Sequence, residues 1–578
     1  MSEIPSALGF GLRDLFFALV FAFIFGLGSE RIYERASESH SANEGRLVGA
    51  LADPLHVSID GIYGSFIRES MDGGGWRVHN HQTTEPHEAA MIRPWEFLVG
   101  KLVKESSEVT SNPASAIFHT ERRLAILLFA LGVAWLASEL FRSFALRAFA
   151  LMVAMLGGNL YGVVECLGRE SAVGSFFRSW LDNGLPDLSG LGFAYPALLL
   201  GTPHLALEVA FMAAAMGGAL AAARIMNQGG GNARYFGTIL LCSASFFFLA
   251  AIRPYTTPVA AVAIFAAFLP SLLGAMHRGS PTRLRAIFGL VVIALPTLPL
   301  LLHYRSLLSG DSVFSGLDVV HYSPPPLEQL LFFGPAVLLL LALAPTVFRA
   351  RKSIVLWSPG ALLLLTWLVS NLLLGNSAPL VSWEVEALLP ISLAVLFVAL
   401  FWVQEYTKRW LLSLGGLAIV LLLGLSSSLQ RLDELDDRLA ARDPALWLSA
   451  EHAGLVDFLE ANRQSSLADN HSPGALVFNS DLACLVPWLA GTRVFTGHPD
   501  HTPEFGRKAD FEQRFLKTGQ GSKLLMDGGV RYVITPARAE GKEDSLKDHK
   551  WLERLFQSGN WRVDRIQVPK IESKTRED

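Results

Sequence analysis

The chain has 578 residues, of which 51% are hydrophobic and only 17% charged, and its net charge at neutral pH is −4. Soluble domains carry about a quarter of their residues as charges, so this balance excludes an ordinary soluble enzyme and describes a polytopic membrane protein. So small a net charge gives no grounds for a nucleic-acid partner. Cys166, Cys242 and Cys484 stand too far apart for a zinc motif or a disulfide framework.

A helical span needs about 20 apolar residues, and about eleven segments qualify. They run near 12–29, 123–141, 147–166, 203–223, 236–253, 256–276, 286–303, 328–347, 355–374, 385–404 and 410–427. No small-residue cleavage site follows the first, so it reads as a span and not as a removed leader. The apolar stretch 188–201 is short and broken by Pro196, and is expected to be re-entrant or interfacial. Basic residues set the orientation. With the N-terminus inside, the inner loops carry Arg142 and Arg147, Arg224 and Arg234, Arg278 to Arg285, Arg349 to Lys352, and Lys408 and Arg409. The outer loop 375–384 carries no base, and 304–327 only Arg305. Two polar regions then lie outside, the first loop at 30–122 and the region after Gly424.

In the first loop, Ile59, Ile62, Tyr63, Phe66, Ile67 and Met71 recur every three or four residues. That spacing predicts an amphipathic helix lying along the membrane interface, ended by Gly73 to Gly75. Asp60 and Arg68 fall near the edges of its apolar stripe. A carboxylate there is suited to taking a proton from a substrate at the membrane surface, or, more plainly, to capping the helix. The loop continues through His79, His81, Glu85, His87 and Glu88. These residue types suit acid/base chemistry or a divalent metal, with magnesium or manganese preferring oxygen and zinc preferring imidazole. Their spacing matches no ligand motif, and a solvated polar loop is the simpler reading.

Later in the chain, His204 and Glu208 lie four apart on one face near the outer end of a span. Ionisable groups at such places are costly and usually face a partner or a cavity. Glu384 and Glu386 open another span. After the charged connector 426–443, strand-like runs at 475–478, 493–495, 531–534 and 561–566 alternate with helical patterns. They predict one small α/β domain of about 130 residues. The segment from Thr496 to Lys508, with His498 and His501, reads as a loop that packs within it.

The first-loop pattern resembles that of the GT-C superfamily, polytopic glycosyltransferases that use polyprenyl-phosphate sugars. It is nearest to the group of aminoarabinose lipid A transferases and protein mannosyltransferases. Asp60, Tyr63, Arg68 with Glu69, Gly74 and Trp76 match the elements in order. Glu85-Pro86 and Arg93-Pro94-Trp95 fall where the later, proline-containing segment belongs. The late span of many relatives opens with an Arg-Tyr pattern, where this chain has Glu384 and Glu386.

The resemblance implies a polytopic α-helical membrane domain over 1–427 and an extracytoplasmic α/β domain over 428–578. It implies transfer of a hexosyl or pentosyl unit, with inversion, to a lipid, glycan or protein acceptor at the outer face of a bacterial inner membrane. Asp60 would be the general base, and Glu85 a second catalytic carboxylate. The leaving phosphate needs positive charge, for which Arg253, His303 and Arg305 are candidates, with interfacial anchoring as their plainer role. Tyr63, Arg68, His87, Glu88, His204, Glu208 and His321 are candidate cavity residues. A divalent metal, magnesium or manganese, stays open as a cofactor. The competing readings are a polysaccharide polymerase or ligase, a lipid or sugar flippase, and a membrane scaffold. The absence of a visible internal repeat speaks against transport.

The orientation is open to a direct check. An extracytoplasmic reporter enzyme fused after Gly424 is expected to be active, and a silent fusion overturns the topology.

Overall fold

The computed structural model describes residues 9–38, 45–47, 54–106, 113–156, 199–309 except 255 and 279, 313–314, 388–406, 447–466, 474–536, 546, 549–567 and five isolated positions. The expected spans near 328–347, 355–374 and 410–427 lie outside the described residues or touch only single positions in them. The 188–201 stretch up to residue 198, His321, Glu384 and Glu386 also lie outside.

Within lipid each backbone N–H and C=O has to be paired inside its own segment, so the apolar runs form helices. In chain order these are α1 (Leu12–Glu38), α2 (Pro54–Met71), α3 (Pro94–Ser106), α4 (Pro113–Leu140) and α5 (Phe144–Leu156). Then follow α6 (Pro203–Asn227), α7 (Asn232–Ile252), α8 (Thr257–Arg278), α9 (Ser280–Ala294), α10 (Thr297–Ser309) and α11 (Leu388–Tyr406). Among the described residues, five helical stretches are long and apolar enough to cross a membrane: Leu12–Glu34, Pro113–Leu140, Pro203–Asn227, Asn232–Ile252 and Thr282–Ser309. The chain is a membrane protein.

Helix α6 is the axis of the bundle, buried along nearly its whole length between α4, α7 and α8. A β-carbon added at Gly132 of α4 would stand 2.5 Å from the Ala210 carbonyl oxygen of α6, so these two backbones touch. Close approach through small residues is how helices pack where no hydrophobic effect drives them together. Large apolar side chains on the outer faces, among them Phe16, Phe23, Leu240 and Leu241, are exposed, as lipid-facing residues are. Charges at the helix ends are paired. Arg147 bonds Asp14 at 2.9 Å, and Arg224 grips Glu139 through two bonds of 2.7 and 2.9 Å.

The polar part is built from both ends of the chain. Strand β1 (Gly45–Leu47) pairs antiparallel with β4 (Trp447–Ser449), and β2 (Arg77–Val78) pairs with β3 (Met91–Ile92). Helices α12 (Ala450–Ser466), α13 (Ser480–Ala490), α14 (Phe505–Thr518) and α15 (Ser522–Asp527) accompany a five-stranded sheet. Its strands are β5 (Gly474–Val477), β6 (Arg493–Val494), β7 (Val530–Pro536), β8 (Leu552–Ser558) and β9 (Trp561–Ile566), in the order β6-β5-β7-β9-β8. The first three are parallel, and β9 and β8 add antiparallel. Leu476, Phe495, Phe515 and Val533 fill its core.

The apolar stripe of α2 differs from expectation. Ile62 and Phe66 are buried with Tyr63, Val78, Met91 and Phe314, and Ile67 in the main core with residues of α3, α4 and α13, so none of them lies against lipid. The Gly61 and Gly64 face of α2 takes α13, an apolar helix whose Trp488 ring would sit 2.5 Å from a β-carbon at Gly64. Only glycine admits the indole there. The polar edge is closed by ions: Arg68 pairs with Asp72 at 3.4 Å and with Glu460, and Arg463 pairs with Asp72 at 2.5 Å and Glu460 at 3.4 Å. Arg68, a candidate cavity residue by sequence, is therefore committed to joining the first loop to α12.

Removing one member of a buried ionic network strands the others. Asp72→Ala is expected to lower stability by about 3 kcal/mol, read as a fall in the thermal midpoint of the purified protein. An unchanged midpoint would show that the network does not hold the two regions together.

Candidate functional site

Tyr63 lies at the end of the bundle that meets the polar region. Its ring stacks on the His204 imidazole at 4.4 Å between centroids, and the planes are 16° apart. The guanidiniums of Arg93 and Arg253 stand 5.4 and 5.7 Å from the same ring. All four side chains are buried. A cation over a tyrosine face is favoured, more so once water is excluded.

Each arginine is placed by a helix boundary. Pro94 starts α3, and the residue before a proline is held extended, which directs Arg93 across to α7. Its Nη1 donates to the carbonyls of Ala251 and Ile252 at 3.0 and 3.1 Å. Those are last-turn carbonyls, which have no partner inside their own helix. Arg253 caps the same helix, and Pro254 follows it. Its Nε lies 3.7 Å from a carboxylate oxygen of Glu208, one turn along α6 from His204. Glu96, fully buried, lies 3.5 Å from Arg93. The Tyr304 hydroxyl donates to the Ile92 carbonyl, and the His303 Nε2 is 2.8 Å from the Ala90 carbonyl. Both hold the strand that carries Arg93.

A second network occupies the loop beside it. Glu69 takes His79 Nδ1 at 2.6 Å, the His79 backbone N–H at 2.9 Å and His81 Nε2 at 2.8 Å. Burial alone would raise its pKa, but the bonds from the two histidines outweigh that and hold it well below the usual carboxylate range. The His87 Nε2 accepts the Asn80 N–H at 2.9 Å, and its Nδ1 reaches the Glu85 carbonyl at 2.7 Å. Burial lowers that imidazole to about 4, with nearby Arg493 adding to the effect. Glu85 pairs with Lys508 at 2.9 Å, and Glu88 is exposed. The imidazoles and carboxylate that a metal would need are thus spent on one another. Among the described residues no three His, Cys, Asp or Glu side chains are grouped to hold one.

The C-terminal region reaches the same place through a short turn, Pro499–His501. Burial lowers His501 to about 3, helped by His498 and then by Arg93 and Arg253. Sequence reasoning assigned this turn to packing alone.

Of the sequence candidates, Tyr63, His204, Glu208 and Arg253 come together, with His303 adjacent. Arg305 is exposed on α10. Asp60 lies on α2 one turn before Tyr63, and its side chain lies outside the described residues. Glu96 was not named from the sequence, while Glu69 and Arg93 entered only as motif residues and His501 only as part of a packing loop. The signal for Arg93 was present, since an Arg-Pro pair opening an apolar helix after a polar loop sets a buried cation at a helix start.

No family model matches the chain, and no curated protein sequence does either. Solved structures match in fold, and the chain has the GT-C fold that they share. Three of these neighbours illustrate the likeness. The mycobacterial arabinofuranosyltransferase AftD superposes with a TM-score of 0.53 at 12% identity, over 97% of this chain and 40% of that one. ArnT from Cupriavidus metallidurans, bound to undecaprenyl phosphate, gives 0.49 at 13% identity over 94% and 98%. The oligosaccharyltransferase AglB from Archaeoglobus fulgidus, with an inhibitory peptide and a dolichol-phosphate, gives 0.47 at 12% over 92% and 70%. The chain thus spans about two-fifths of the length of AftD.

Because His87 and His501 are held neutral when folded, the unfolded chain takes up their protons first. The stability tied to them is complete above about pH 6.5 and is lost as the pH falls toward about 4. The thermal midpoint is expected to drop over that window, and His87→Gln to make the drop shallower. A pH slope identical in the variant would take His87 out of the account.

Proposed function

We propose that the protein is a membrane glycosyltransferase. It moves a sugar from a polyprenyl phosphate to an acceptor hydroxyl, or a related nucleophile, at the outer face of a bacterial inner membrane. The observation that carries this reading is the pair of buried guanidiniums over Tyr63. Two desolvated cations at the mouth of a helical bundle suit a lipid-borne phosphate, and the Arg93 Nε has no hydrogen-bond partner among the described residues. The GT-C fold supports the reading, and so does the order of Asp60, Tyr63, Arg68-Glu69 and Trp76 along the first loop.

In this mechanism Asp60 removes the proton of the acceptor hydroxyl, and the oxygen attacks the anomeric carbon. The bond to the phosphate oxygen breaks, with inversion at carbon. Arg93 and Arg253 stabilise the negative charge that grows on the leaving phosphate. Glu208 and Glu96 hold the two guanidiniums in place, His204 fixes the Tyr63 ring, and His303 and Tyr304 anchor the strand behind Arg93. Glu85 ties the loop to Lys508 and so keeps its shape. Residues 1–427 form the membrane unit, with the N-terminus cytoplasmic, and 428–578 the extracytoplasmic unit.

The test uses purified protein in lipid nanodiscs with a panel of polyprenyl-phosphate sugars. Asp60→Asn is expected to lower turnover roughly 100- to 10,000-fold while leaving lipid binding unchanged. Arg253→Gln should weaken polyprenyl phosphate binding about 10- to 100-fold. Equal turnover in wild type and Asp60→Asn removes the base, and equal lipid binding by Arg253→Gln removes the phosphate site.

A further inference from the structure

The turn Pro499–His501 is fixed to the first loop by its backbone and neighbours, which leaves the His501 ring free to act. Asn80 Nδ2 donates to the His501 carbonyl at 2.8 Å, and the His498 N–H donates to Gln82 Oε1 at 2.9 Å. The Thr502 hydroxyl donates to the Gln82 carbonyl at 2.9 Å and accepts the Gly497 N–H at 3.0 Å. Just past the turn, Glu504 adopts φ 52°, the one positive φ at a non-glycine among the described residues. Such strain persists only where the surroundings impose it, and it gathers at ligand sites. The His501 ring packs near His498 at 5.7 Å, and no hydrogen bond joins its nitrogens to a described residue.

We infer that His501 binds a hydroxyl of the transferred sugar, so that the C-terminal domain completes the donor site and helps to select the sugar. The argument is one of donors and acceptors, and it rests on the function proposed above. Arginine only donates, and a phosphate ester anion only accepts, so Arg93 and Arg253 suit the phosphate. A neutral imidazole presents one donor and one acceptor. A sugar hydroxyl likewise gives one hydrogen and accepts another, which makes it the natural partner of such a ring. Burial first, and then His498 and the two guanidiniums, disfavour a protonated His501, which keeps the ring in the form that offers both. The bond from Asn80 sets the turn against the loop whose Val78 packs in one buried cluster with Tyr63, the ring beneath both guanidiniums.

The experiment compares binding of a bare short-chain polyprenyl phosphate with binding of its glucosyl and arabinosyl derivatives, in wild type, His501→Ala, His501→Gln and Arg253→Gln. His501→Ala is expected to bind the bare phosphate as wild type does, and at least one sugar derivative about 3- to 10-fold more weakly. His501→Gln, which keeps a donor and an acceptor, should recover part of that loss. A merely structural role for His501 would weaken all the lipids alike, and that result overturns the inference, as would unchanged binding of both sugar derivatives by His501→Ala. If Arg253→Gln binds the bare phosphate normally, the phosphate site itself fails, and that outcome is separate from the behaviour of His501.

Discussion

Two like charges set close together repel, and the outer end of this protein is arranged to keep Arg93 and Arg253 beside one another. The carbonyl end of α7 carries partial negative charge, and Arg93 bonds directly to it. Glu96 and Glu208 stand beside the two guanidiniums. The Tyr63 ring lies under both. Every element that meets there is placed by this requirement. Helix α2 brings the ring, α3 begins at Arg93, α6 brings His204 and Glu208, and α10 holds the strand that precedes α3. A bound anion would relieve the repulsion that the protein alone only balances.

The described C-terminal region packs against the loop that carries the site. Helix α13 packs on the Gly61 and Gly64 face of α2, α12 receives Arg68 and Asp72, and the Val494 N–H donates to the His81 carbonyl. Lys508 reaches Thr83 and Glu85. The residues between Asn80 and Glu85 are thereby held from two sides, by Glu69 with its histidines and by the C-terminal turn. A site of this kind has its shape set before substrate arrives.

Much of the membrane part was readable from the chain, because a run of about 20 apolar residues admits few other structures. The helices at 203–227 and 232–252 follow such runs. The α2 helix followed from three- and four-residue spacing, yet the same spacing could not say what covers its stripe. A stripe against lipid and one against another apolar helix are written in the same residues. His204 and Glu208 stood out because ionisable groups are rare in such surroundings. Their partners were hidden, since Tyr63 and Arg253 come from distant parts of the chain and only the tertiary fold joins them. Strand β8 escaped for a local reason, as Leu552, Leu555 and Phe556 read like one face of a short helix. His501 escaped because a polar loop gives no periodic signal at all.

The closeness of α2 to α13 bears on how the chain is made. The first-loop helix is synthesised early, while α13, which packs on its Gly61 and Gly64 face, comes some 400 residues later. The pairing of β1 with β4 bridges the same gap. Until the distal portion emerges and docks, the loop has a greasy flank without its native cover, an invitation to chaperones or to neighbouring lipid. A polypeptide cut short before residue 447 would keep its transmembrane scaffold but never seal that flank. Assembly of this region therefore waits until β4 and α13 have been made.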